Sequence, residues 1–158
     1  MLALLVLWLA QPTAASLIVG AVIGASGEAL RFWAAGHLNK AREVTASGPY
    51  RWLPHPLYTG SSMLGAGLAV ASGSIAVAIL VAAYLIVTIL AAVKTEEAYL
   101  RRTFGDRYDR YRGGERDSRR SFSLAQAVAN REHRAMAGWL AALLLLVLKA
   151  TYNGLFRR

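Results

Sequence analysis

Two short segments hold most of the residues able to do chemistry. The first is Gly48-Pro49-Tyr50-Arg51-Trp52-Leu53-Pro54-His55-Pro56-Leu57-Tyr58-Thr59-Gly60, with three prolines, a histidine and two tyrosines. It runs directly into Ser61–Val93, 33 residues without a charge. The second is Glu96-Glu97 with the Phe104-Gly105-Asp106-Arg107-Tyr108 segment. A hairpin of two apolar helices between them returns Glu96 and Glu97 close to His55 and Tyr58. Two carboxylates, an imidazole and several phenols then meet at a water–bilayer boundary. Carboxylates hold an ammonium or ribose hydroxyls by charge-assisted hydrogen bonds. Tyrosine faces hold an adenine or attract a sulfonium cation. The set suits a polar, cationic cofactor presented to a lipid-borne substrate, with His55 as a base or as an orienting group. In a methyl transfer, positioning and exclusion of water supply most of the acceleration. Taken alone, the carboxylates read more economically as a solvated helix segment in which Glu97 pairs with Arg101 at i+4.

The elements that position these groups follow from the pattern of charge. Met1–Gly27 carries none, and Trp52–Val93 none apart from His55. Lys94 to Arg134 holds eleven Lys/Arg and seven Asp/Glu. Hydrophobic residues make up 56% of the chain, yet its net charge is +9, the segregation expected of a membrane protein. We expect an all-α polytopic bundle with about four or five membrane-embedded helices, a number set by apolar run lengths. Met1–Ala10 is a short first helix, turned at Gln11-Pro12-Thr13, that reaches only about half the hydrocarbon core. Either the start is truncated or this helix does not cross. Ser16–His37 is the second, and its Glu28 and Arg31, at i and i+3, share a face and can pair. They make either a structural pair or part of a substrate mouth. Ser61–Ala71, extended to Leu57 by Pro56 at N1, turns at Ser72-Gly73-Ser74 into Ser74–Val93. Its small residues point to close helix packing. Lys94–Arg112 continues as a helix bent at Gly105 and stopped at Gly113-Gly114. Ser123-x-x-Gln126 opens a short helix. Ala135–Ala150, at sixteen residues, is marginal as a span. If it crosses, Arg157 and Arg158 end on the side that the positive-inside rule disfavours.

Several classes are excluded. No cysteine is present, and His37, His55 and His133 lack metal-ligand spacing, so no metal is expected. The positive charge flanks apolar spans, which the positive-inside rule explains without nucleic acid.

The two segments resemble the isoprenylcysteine carboxyl methyltransferase and phospholipid methyltransferase superfamily of integral membrane enzymes. Gly48-Pro49-Tyr50, His55-Pro56, Tyr58 and Gly60 match one family motif. Glu96-Glu97, Leu100, Phe104-Gly105, Tyr108 and Tyr111 match the other with every spacing kept. The resemblance covers about Gly27 to Arg112. It implies one domain over 1–158, with a cofactor-binding core at 48–112 and a C-terminal extension at 113–158. It further implies S-adenosylmethionine as cofactor and a lipophilic methyl acceptor drawn from the membrane lipid. The location implied is a bacterial-type inner membrane, with the site facing the cytoplasm. His55 and Tyr58 become the catalytic candidates. Tyr50, His55, Pro56, Tyr58, Gly60, Glu96, Glu97, Tyr108 and Tyr111 become cofactor contacts, and Glu28 and Arg31 acceptor-side residues. The chain departs from the family where an arginine before His-Pro is replaced by Pro54, with Arg51 as a substitute three residues earlier. Two rivals remain. A nicotinamide-dependent membrane reductase of similar layout is disfavoured because Glu96-Glu97 would repel a 2′-phosphate. A non-catalytic scaffold is favoured by Pro54.

Overall fold

The computed structural model describes residues 2–40, 42–115 and 120–156. Among these the chain is helical: α1 Leu2–Leu9, α2 Ala14–His37, a 3-10 turn Gly48–Arg51, α3 Pro56–Ala71, α4 Ile75–Phe104, α5 Asp106–Arg112, α6 Leu124–Ala129 and α7 Glu132–Phe156. Each boundary has a local cause. A capping box between Thr13 and Ser16 opens α2. Pro56 sits in the first turn of α3, where its missing N–H costs nothing. The Ser74 hydroxyl caps α4, and Gly105, at φ 48°, breaks it from α5. Ser123 caps α6 as its spacing to Gln126 predicts.

Among the described residues three helices are long and apolar enough to cross a membrane: α2, α4, and α7 over Glu132–Gly154. The expected four or five membrane-embedded helices are not confirmed. The eight residues of α1 and the sixteen of α3 rise about 12 and 24 Å, short of a hydrocarbon core of about 30 Å. The helix α7 is longer than the run Ala135–Ala150 because it begins earlier, at Glu132, and ends later, at Phe156. Arg157 and Arg158 lie outside the described residues.

The pair α2 and α3 forms the centre of the bundle. The two helices run antiparallel with backbones nearly touching: a Cβ at Gly20 would lie 2.4 Å from the Gly67 carbonyl, and one at Gly27 would lie 2.7 Å from the Gly60 carbonyl. Small residues permit the approach on which helix packing in lipid depends. At one end of this pair Ala10, Ala71 and Leu146 pack together, bringing α1 and α7 to the α3–α4 turn. There the backbone N–H of Gln11 donates to the Ser72 carbonyl at 2.6 Å. The opposite end carries the polar loop 38–55, α5 and α6. Large apolar side chains of α4 and α7, among them Ile79, Val87, Leu90, Leu144 and Leu148, point outward, as helices bathed in lipid require.

Candidate active site

His55 is the N-cap of α3, and its imidazole makes no capping bond. It turns instead toward α4. Its Nε2 lies 3.1 Å from Glu97 Oε1, and its Nδ1 lies 3.9 Å from Glu96 Oε2. An ionised carboxylate only accepts, so Nε2 carries the proton and Nδ1 is left as the ring's free base. The His55 and Tyr58 rings are neighbours, with centroids 5.8 Å apart, because they stand three residues apart at the start of a helix. The hairpin α3–α4 thus brings the two sequence segments together as expected.

Behind this row, α5 packs on the loop. Tyr108 and Tyr111 are buried with Ala46, against Val44, Leu100 and Phe104. The Tyr111 hydroxyl donates to the Tyr50 carbonyl at 2.9 Å in a buried bond. Tyr111→Phe removes that donor from a buried carbonyl, at an expected cost of about 1–3 kcal/mol. A fall in the midpoint of thermal unfolding in detergent checks it, and an unchanged midpoint would contradict it. The turn itself depends on Gly48: its φ is 55°, and a Cβ there would lie 2.6 Å from His37 Nδ1.

These elements enclose a cavity of about 810 Å³, within the range of about 300–1,000 Å³ usual for small-molecule sites. Tyr50, His55, Pro56, Tyr58, Glu96, Tyr108 and Tyr111 line it, and so does Arg31. Three of the expected residues do not. Gly60 faces α2, where a Cβ would lie 2.5 Å from Arg31 Cγ and 2.7 Å from the Gly27 carbonyl, so it serves helix contact. Glu97 stands behind His55 and is also 3.5 Å from Arg112 Nη1. Glu28 is buried beneath Arg31. The anticipated Glu97–Arg101 pairing is replaced by Arg101–Asp109 at 3.5 Å, since α5 folds back beside the end of α4. Pro54 lines the cavity and Arg51 does not. The guanidinium near His55 and Glu97 comes from Arg112.

The loop supplies wall residues that sequence reasoning missed: Lys40, Glu43 and Thr45. Glu43 is held by Arg120 from the chain after α5. Ala91, Ala92, Thr95 and Tyr99 of α4 form the opposite side. The phenols of Tyr50, Tyr58 and Tyr108 stay protonated at neutral pH. Burial, and then neighbouring negative charge, pushes Tyr50 far up and Tyr108 up. Burial and then the Glu96 carboxylate push Tyr58 up to about 12. Among the described residues the buried Tyr108 hydroxyl has no hydrogen-bond partner, a donor in the wall that a bound acceptor atom would satisfy.

Apolar helices long enough to cross a bilayer, with a cavity walled by aromatic, charged and apolar side chains at one end of the bundle, mark an integral membrane protein with a candidate small-molecule site. The chain belongs to the phospholipid methyltransferase family, whose model matches residues 15–107, more than half its length. No curated protein matches it, and no solved structure does. The matched span runs from α2 into α5 and contains every wall residue named so far except Tyr108 and Tyr111.

Proposed function

We propose that this protein transfers a methyl group from S-adenosylmethionine to a nucleophilic atom of a lipophilic acceptor that enters from the bilayer. The observation that carries the reading is a cavity that gathers His55, Tyr58, Glu96 and Tyr108 between α3, the membrane helix α4 and α5. The residues present fit such a cofactor. Glu96 offers a carboxylate for an ammonium or for ribose hydroxyls, the faces of Tyr50 and Tyr58 suit an adenine or a sulfonium, and the orphaned Tyr108 hydroxyl awaits an acceptor. When bound, the cofactor supplies an electrophilic methyl whose carbon–sulfur bond breaks as the acceptor–carbon bond forms, the electron pair leaving with sulfur.

The chain's own residues then bind, orient and exclude water. The His55 Nδ1 lone pair is placed to take the proton of an acceptor that carries one, and the carboxylates of Glu96 and Glu97 lie beside the ring at 3.9 and 3.1 Å. Leu57, Ala91 and Ala92 give the cavity apolar walls on its α3–α4 side, suited to an acceptor with a hydrocarbon body. The charged block that includes Lys94, Arg101, Arg102 and Arg107 follows the apolar run of α4, and the positive-inside rule assigns that block to the cytoplasm together with the site.

Calorimetry of S-adenosylmethionine and NADPH binding to the detergent-purified protein tests this reading. Micromolar binding of the first alone is expected, about −8 kcal/mol. Glu96→Gln should weaken it about tenfold or more, the worth of a charge-assisted bond of roughly 1.5–3 kcal/mol. Binding of NADPH instead would point to a reductase, and binding of neither to a scaffold. An unchanged affinity in Glu96→Gln would remove that residue from the cofactor contacts.

A further inference from the structure

The residue Glu132 opens α7, outside the segment the family model matches. It is 4% exposed, and its Oε1 accepts a bond from Arg31 Nε at 2.6 Å. The same guanidinium reaches into the first turns of α3, where Nη1 donates to the Leu57 carbonyl at 3.3 Å and to the Ser61 hydroxyl. Arg31 also forms part of the cavity wall. A second carboxylate, Glu28, lies 4.0 Å from Arg31 Nε, with both oxygens buried and no hydrogen bond.

Docking of α7 does not explain this cluster. The helix is already fastened to α2 by other means. Asn130 Nδ2, just before it, donates to the Ala35 and Leu38 carbonyls at 2.8 and 2.9 Å. The Trp139 indole sits against Gly24, where a Cβ would lie 2.5 Å from Nε1, and Leu146 packs with Ala10 and Ala71. A buried ion pair loses hydration at both partners and adds little to docking that packing already secures. What Glu132 does add is direction. Arg31 has two carboxylates within reach, and only the bond to Glu132 fixes its Nε while the terminal nitrogen spans toward α3 at the cavity.

We propose that Glu132 is a positioning residue for the acceptor side of the site: it holds the Arg31 guanidinium at the cavity wall, so that α7 completes a site whose other walls come from α2 to α5. This rests on the methyltransferase reading. Without Glu132, the guanidinium turns to the nearby Glu28 and leaves the wall.

Two measurements on the full chain test it. Arginine side-chain NMR in detergent follows the Arg31 Nε–H, assigned by its loss in Arg31→Lys. It should be slow to exchange in the native protein and lose that protection or shift in Glu132→Gln, with Glu132→Asp restoring it in part. A signal that Glu132→Gln leaves unmoved overturns the proposal, whatever the protein's activity. Methyl transfer to phosphatidylethanolamine in mixed micelles then supplies the second readout. Glu132→Gln should raise the half-saturating acceptor fraction about tenfold, with kcat and S-adenosylmethionine affinity within about threefold of native. The variant Trp139→Ala, which loosens α7 without touching the ions, should lower the thermal midpoint but not raise that acceptor fraction. Loss of cofactor affinity in Glu132→Gln, or an acceptor defect shared by Trp139→Ala, overturns it. Failure of the native protein to bind S-adenosylmethionine would instead defeat the methyltransferase reading, and the NMR result would stand apart from it.

Discussion

Substitution of His55 by alanine should lower kcat for methyl transfer by about 10²- to 10⁴-fold, the usual worth of a positioned proton acceptor. The argument rests on how the ring is held. Glu97 accepts a hydrogen bond from Nε2–H at 3.1 Å, so in the neutral ring the lone pair is on Nδ1, 3.9 Å from a second carboxylate. An acceptor that must lose a proton would find there a ring nitrogen with a carboxylate on either side of the ring. Glu97 does not line the cavity, so Glu97→Gln should act through His55 and lower kcat more than it weakens S-adenosylmethionine binding. The two constants separate the possibilities. If His55→Ala lowers kcat while cofactor affinity stays within tenfold, the ring is a base. If affinity collapses and kcat at saturation holds, it is a ligand-orienting group. A His55→Ala enzyme with both constants near native would end its role in the site.

The second large effect concerns the fold. Gly67→Val should destabilise the protein by about 3 kcal/mol, the upper end of ordinary overpacking. A Cβ at this position would lie 2.6 Å from the Gly20 carbonyl, 2.6 Å from the Gly24 nitrogen and 2.9 Å from its Cα. Each of those atoms is backbone, so no rotamer change relieves the clash and α2 must move away from α3. Because α2 carries Arg31 and α3 carries Tyr58, the cavity should suffer with the core, and cofactor affinity should fall alongside thermal stability. Gly138→Val is the control. Nothing lies within 4 Å of a Cβ at Gly138, so its expected effect is small. Equal losses in both variants, read from thermal unfolding in detergent, would show that glycine content rather than close approach is responsible.

Much of this architecture was legible in the residues. Apolar runs bounded by charge gave the hairpin, and Pro56 gave the true start of α3, because a proline ring fits only the first turn of a helix. Glycine in the left-handed region marked the break at Gly105. Of the residues named in the two motifs, Tyr50, His55, Pro56, Tyr58, Glu96, Tyr108 and Tyr111 meet at one cavity. The family resemblance makes Gly60 a cofactor contact, while its place among Gly65 and Gly67 points to helix packing, and it is the packing against Gly27 and Arg31 that the fold shows.

The number of crossings was harder to read, since an apolar run of sixteen residues is short of a span whether or not it is embedded. The helix α7 shows the opposite case, its helical span starting before its apolar run does. The acidic residue that opens α7 gave no local signal of its role, because its partner Arg31 stands 101 positions away.

From the sequence alone came the membrane class, the helical hairpin and the two motifs, since hydropathy, charge and helix-terminal chemistry are local and leave their mark at fixed spacings. Only the tertiary structure decided which carboxylate faces the cavity and which stands behind His55. It also brought the loop residues Lys40, Glu43 and Thr45 into the wall, and placed Arg112 rather than Arg51 beside Glu97. The physical reason is common to all of these. A side chain's place in a site depends on how helices far apart in sequence cross and rotate against one another, and no local spacing encodes that angle.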